Sequence, residues 1–98
     1  MYRKILITGA TDGIGLQTSK YLFMQGHHVL LHGRSDEKLD YLKKKVFKSK
    51  DIETYTADLS SIEAVSDLAM QVLNKHTNLD VLINNAGVLK DSNTVTAD

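Results

Sequence analysis

Apolar residues gather in three dense runs, Ile5-Leu6-Ile7, Val29-Leu30-Leu31 and Val81-Leu82-Ile83, with no polar alternation inside them. Runs of this kind fit strands covered on both faces, as in a parallel sheet. A fourth segment, Ile52 to Thr56, alternates with polar residues and predicts an edge strand. Helical spacings lie between the strands. Ile14, Thr18, Tyr21 and Leu22 share one face of a first helix that Gly26 should end. Leu39, Leu42 and Val46 mark a second helix, entered through Ser35, with Asp36 and Glu37 in a first turn that favours acidic side chains. Val65, Leu68, Ala69, Val72 and Leu73 mark a third, opened by the capping-box arrangement Ser60-x-x-Glu63.

The resulting order is β-α-β-α-β-α-β, without proline, repeat or linker. It predicts an α/β fold, a doubly wound parallel sheet of the Rossmann type with about four strands in the order 3-2-1-4 and three helices. Right-handed crossovers place the first two helices on one face and the third on the other. One face is then thinly covered, with the apolar fourth strand at an edge. A second copy of the chain in a homo-oligomer, or more polypeptide, is expected to cover it.

Composition narrows the classes of function. Ninety-eight residues suffice for one domain, and the absence of cysteine excludes a disulfide framework or a thiolate metal site. Twelve basic residues balance twelve acidic ones, so no global field recruits nucleic acid or an anionic membrane. The segment after Met1 is too short in apolar residues for a signal peptide or a membrane span. A soluble, cytoplasmic protein is expected.

The candidate chemistry begins directly behind the first strand, at Thr8-Gly9-Ala10-Thr11-Asp12-Gly13-Ile14-Gly15. A glycine-rich turn between a buried strand and a helix lets backbone approach a pyrophosphate, and the free N–H groups of the helix start meet its charge. The spacing G-x-x-x-G-x-G differs from the G-x-G-x-x-G fingerprint, and taken alone it also fits a simple tight turn.

Two further motifs join it: Asp58-Leu59 after the third strand and Asn84-Asn85-Ala86-Gly87 after the fourth. Together the three resemble the short-chain dehydrogenase/reductase family, over the whole chain. The resemblance implies a nicotinamide dinucleotide as ligand. Gly9, Gly13, Ile14 and Gly15 would then surround the pyrophosphate, and Thr11 would reach toward the adenosine ribose or its phosphate. Asp58 would accept from the adenine amino group, the Leu59 N–H would donate to a ring nitrogen, and Asn85, Ala86 and Gly87 would line the cofactor. Each has a plainer reading: Asp58 as a helix-entry residue, Asn84 to Gly87 as a strand-ending turn, Thr8 as an ordinary β-branched strand residue.

The end of the second strand sets cofactor choice in such folds, an acidic residue binding the ribose 2′-hydroxyl and an arginine accommodating a 2′-phosphate. Here the chain reads His32-Gly33-Arg34-Ser35. Arg34 offers a planar fork and Ser35 a hydroxyl, which favours NADP(H) over NAD(H). Asp12 in the glycine turn opposes a nearby phosphate unless it points away, and it is also placed to cap the first helix. The plain alternative for Arg34 is a surface pair with Asp36 or Glu37.

The remaining candidates are weaker. His28 and His32 share a strand face, but two imidazoles without a nearby carboxylate make a poor metal site, and no metal is expected. His27 and His76 stand in no motif. Lys43, Lys44, Lys45, Lys48 and Lys50 form a basic cluster that fits a solvated face. Reduction of a carbonyl needs a proton donor, which the resemblance places in a Tyr-x-x-x-Lys motif with an upstream serine, all beyond the equivalent of residue 98. Tyr41 and Lys45 match that motif by letter but lie on the second helix, before the third and fourth strands. No catalytic residue is therefore assigned. Residues 1–98 are expected to be a partial dinucleotide-binding domain of an oxidoreductase, catalytically inert by themselves. The other readings are a non-catalytic nucleotide-binding or interaction module and a remnant without function.

Overall fold

A computed structural model of the chain describes residues 3–76 and 78–85. Four strands, β1 (Lys4–Ile7), β2 (His28–Gly33), β3 (Glu53–Thr56) and β4 (Val81–Ile83), form one sheet in the order β3-β2-β1-β4. All neighbouring pairs are parallel, with Ile5 opposite Val29 and Val81, and Leu30 opposite Glu53. The predicted order and edge strand are both present.

Side chains alternate across the sheet and fill two cores. Ile5, Ile7, Val29 and Leu31 pack with Leu39, Leu42, Phe47 and Ile52 on one side, under α1 (Gly13–Met24) and α2 (Asp36–Tyr41). Leu6, Leu30 and Tyr55 pack with Leu59, Leu68 and Val72 on the other, under α3 (Ile62–Lys75). The apolar runs of β1 and β2 thus reflect burial on both faces. β4 differs: Val81 and Ile83 pack against the first core, while Leu82, on the α3 side, is 56% exposed.

α1 departs from the expected face. Ile14 and Tyr21 are exposed, and the buried positions are Gly15 and Ser19, with Leu16, Leu22 and Phe23 partly buried. Small residues bring the helix close to the sheet, so counting apolar side chains misses the contact line. Ser19 enters the core because its hydroxyl donates to the Gly15 carbonyl at 2.7 Å. The helix ends as predicted at Gly26 (φ +94°), whose N–H donates to Phe23 O at 3.0 Å, while His27 N–H reaches Leu22 O at 3.2 Å.

Ser35 caps α2, accepting from the Lys38 N–H at 3.2 Å. The helix then widens into a π-helical segment, Leu42–Phe47, which ends at Lys48 in a left-handed conformation. Widening puts Leu42 and Phe47, five residues apart, on the buried side. Phe47 meets Phe23 of α1 edge-to-face, with ring centroids 5.2 Å apart. The cap of α3 falls one residue later than predicted. Ser61, not Ser60, accepts from the Ala64 N–H, at 3.0 Å. Its sheet-facing line narrows to Leu68 and Val72, and Val65, Ala69 and Leu73 are exposed. Among the described residues no helix is long and apolar enough to cross a membrane.

Candidate dinucleotide site

The C-terminal ends of all four parallel strands point to one edge of the sheet, where open α/β folds form their ligand crevice. The glycine turn lies there, between β1 and α1. Gly9 and Gly13 adopt positive φ, +63° and +54°, which other L-residues reach only with strain. Gly15 is required for space: a Cβ there would overlap the Gly9 carbonyl oxygen and Asn85 Nδ2. Helix α1 therefore starts against the turn, with the N–H groups of its first turn lacking intrahelical acceptors.

Asp12 occupies the N-cap position, but its carboxylate makes no capping hydrogen bond. It turns instead to Lys38 Nζ at 3.3 Å and takes the Thr11 hydroxyl at 3.2 Å. A side-chain cap by Asp12 is thus absent, and a lysine faces the charge that would oppose a phosphate. The Thr11 methyl sits over Gly33, where a Cβ would approach it to 2.6 Å.

Hydrogen bonds tie the turn to the ends of β2 and β4 and, through the His32 ring, to the residue after β3. Ala10 N–H donates to His32 O at 2.8 Å and Thr8 N–H to Ile83 O at 3.0 Å. Asn85 donates through Nδ2 to Gly9 O at 3.0 Å and through its backbone N–H to Thr8 Oγ1 at 2.9 Å. Thr8 is thus more than a strand former. His32 is 2% exposed, and its Nδ1 accepts from the Gly9 N–H at 3.0 Å while Nε2 lies 2.8 Å from the Ala57 carbonyl. An acceptor at Nδ1 and a donor at Nε2 define one neutral tautomer. Burial lowers the pKa of this imidazole, and the bond to Ala57 offsets only part of that.

Sequence reasoning missed this role of His32, which it weighed only as a companion of His28. The available signal was a polar ring closing an apolar strand beside the glycine turn. The expectation that no carboxylate lies near these imidazoles is also corrected. Glu53 Oε2 lies 3.0 Å from His28 Nε2, and Glu53 Oε1 lies 2.9 Å from His76 Nε2. Among the described residues no group of three or more His, Cys, Asp or Glu is arranged to hold a metal ion.

At the end of β2, Arg34 is exposed and, among the described residues, forms no ion pair with Asp36 or Glu37. Asp36 takes the Thr56 hydroxyl instead. Asp58 is exposed, and its carboxylate accepts from Ser60 N–H at 3.1 Å, closing the turn that leads to α3. Leu59 anchors this turn in the second core. Ala86 and Gly87 lie outside the described residues. Tyr41, the letter match to a catalytic tyrosine, is exposed on α2.

Comparison with known proteins agrees with this geometry. The family model described as short chain dehydrogenase matches residues 3–98. The short-chain dehydrogenase/reductase prx1 of Penicillium rubens is 37% identical over 93 residues, covering 95% of this chain and 27% of the relative. Human polyprenol dehydrogenase is 36% identical over 90 residues, covering 89% of this chain and 27% of the relative. The crystal structure of a metagenomic short-chain oxidoreductase in complex with NADP superposes with a TM-score of 0.77 at 36% identity, over 88% of this chain and 39% of that one. The chain thus spans little more than a quarter of the curated relatives' length. With a match from residue 3 to residue 98, a shared strand order and the glycine turn in place, the chain belongs to the short-chain dehydrogenase family.

Proposed function

We propose that the crevice at the C-terminal edge of the sheet binds NADP(H), and that the whole protein is an oxidoreductase moving hydride between NADPH and a carbonyl or alcohol. The observation that carries the reading is the cradle at Gly15, where a missing side chain lets the start of α1 meet Gly9 O and Asn85. Such a cradle fits a pyrophosphate, with the Ile14 N–H as an anion donor. When bound, the dinucleotide supplies the hydride. This chain's residues bind and orient it: Gly9, Gly13 and Gly15 around the pyrophosphate, Thr11 and Asp12 beside the ribose, Asp58 and Leu59 at the adenine, and Asn85 to Gly87 along the cofactor.

The preference for a 2′-phosphate rests on Arg34 and Ser35. Arg34 is exposed and not committed to an acidic neighbour, and Lys38 offsets Asp12. That a structural neighbour was solved with NADP supports the same choice. Residues 1–98 then form the dinucleotide-binding part, and the proton donor belongs to the remaining length of a family-sized protein.

Titrating the protein with NADPH and NADH tests this. Saturable binding of both, with NADPH tighter by about tenfold, is expected from one added arginine–phosphate contact. Absence of binding for either would remove the nucleotide-site reading, and equal affinities would remove the assignment to Arg34.

A further inference from the structure

We propose that His32 is a positioning residue for the dinucleotide, holding the glycine turn and the end of β3 at one fixed spacing through opposite nitrogens of a single neutral ring. The inference rests on the NADP(H) reading of the same crevice. The turn at Gly9 is the pyrophosphate side of that site, and Ala57 immediately precedes Asp58 and Leu59, its adenine side. His32 lies between them on β2, bonded to Gly9 N at 3.0 Å and to Ala57 O at 2.8 Å. It thus connects two loops that come together only through the sheet.

The bond from Gly9 requires the neutral ring, whereas the bond to Ala57 is made by either form. A proton added at Nδ1 turns the acceptor into a donor and sets it against the Gly9 N–H, which is left without a partner. The turn must then move, and with it the donors that face the pyrophosphate.

The surroundings contribute no competing charge. In the turn after β1, Thr8 and Gly9 carry no titrating side chain, and Asp12 further along it is turned to Lys38 at 3.3 Å. On β3, Tyr55 stands opposite His32 in register, kept protonated by burial and by Glu53. Beyond β3, Asp58 is exposed and engaged by Ser60, and at the start of α2 Asp36 and Glu37 are exposed. Burial lowers the pKa of His32 and the bond to Ala57 opposes this only in part, a direction that keeps the ring neutral at physiological pH.

NAD+ is the probe, since its pyrophosphate keeps its charge and its adenine stays neutral between about pH 8 and about pH 5. At the neutral end of that range the wild type is expected to bind with full affinity, and protonation of His32 in acid to weaken binding by about tenfold, the size of one lost buried hydrogen bond. His32→Gln carries an amide oxygen and an amide nitrogen at similar separation and does not titrate. It is expected to keep wild-type affinity near pH 8 and to lose the acid weakening. His32→Phe, with neither partner, should bind weakly at every pH.

Wild-type affinity retained by a folded His32→Phe, affinity near pH 8 lost in His32→Gln, or an acid weakening unchanged in His32→Gln would overturn the proposal while leaving the nucleotide site intact. Absence of both NAD+ and NADP+ binding by the wild type would overturn the function reading and this inference with it. If His32→Phe does not fold, the comparison of wild type with His32→Gln decides alone.

Discussion

The Glu53 carboxylate joins β3 to the end of α3 through His76, whose Nε2 lies 2.9 Å from Oε1. The same oxygen accepts from the Tyr55 hydroxyl at 2.9 Å, Oε2 lies 3.0 Å from His28, and Lys75 approaches to 3.9 Å. Burial opposes the charge of Glu53. The bonds from His76 and Tyr55, with the charges of His76 and His28, outweigh it, so its pKa is lowered below the ordinary 4.5. A carboxylate with a lowered folded pKa stabilises fully above its unfolded value, and that contribution disappears as pH falls through the folded one. The wild type should therefore lose stability in acid below about pH 4.5, whereas Glu53→Gln should be flatter there and less stable by about 1–3 kcal/mol at neutral pH. Calorimetric melting temperatures across pH check both. An equal acid slope in the two proteins would assign the acid loss to other groups.

Adjacent serines before α3 have unequal roles. Ser61 accepts from Ala64 N–H, while the Ser60 backbone is held by Asp58. Removing an N-cap hydroxyl costs about 1 kcal/mol, so Ser61→Ala should lower stability by that amount and Ser60→Ala by much less. Urea unfolding midpoints compare them directly, and the reverse ranking would restore Ser60 as the cap.

Arg34 provides a test of cofactor choice that leaves the fold alone. Its guanidinium is exposed, outside both cores, and makes no ion pair among the described residues. Arg34→Ala should weaken NADPH by about tenfold and leave NADH nearly unchanged, since only the first has a 2′-phosphate to lose. A parallel loss for both nucleotides, read from binding titrations, would place Arg34 elsewhere on the ligand.

The sheet was legible in the sequence because β1 and β2 are buried on both faces and so carry unbroken apolar runs. Strand order followed from the doubly wound fold type that the alternation of strands and helices implies, and handedness then placed the helices on their faces. The contact line of α1 was hidden because Gly15 and Ser19 make it, and neither registers as hydrophobic. His32 and Glu53 were hidden for a different reason. Their partners lie on other elements, brought near by a register that pairs His32 with Tyr55 and Leu30 with Glu53, and no local pattern encodes that register. The site motifs were visible because each sits on one short loop; the bonds that hold the loops to one another were not.

Gly13 and Gly15 stand two residues apart and should respond differently to alanine. At Gly13 a Cβ meets nothing within 4 Å, so the cost is that of φ +54°, about 1 kcal/mol. At Gly15 a Cβ overlaps the Gly9 carbonyl oxygen and lies 3.0 Å from its carbon, and a backbone group cannot swing aside as a side-chain end can. Relief requires α1 to retreat or the turn to open, and either breaks the bond from Asn85 Nδ2 to Gly9 O. Gly15→Ala should then cost about 3 kcal/mol and abolish nucleotide binding, while Gly13→Ala keeps measurable binding. Unfolding midpoints and NADPH titrations of both variants give the ranking. If Gly13→Ala were the more damaging, the approach of α1 to the turn would not be what this part of the sequence protects.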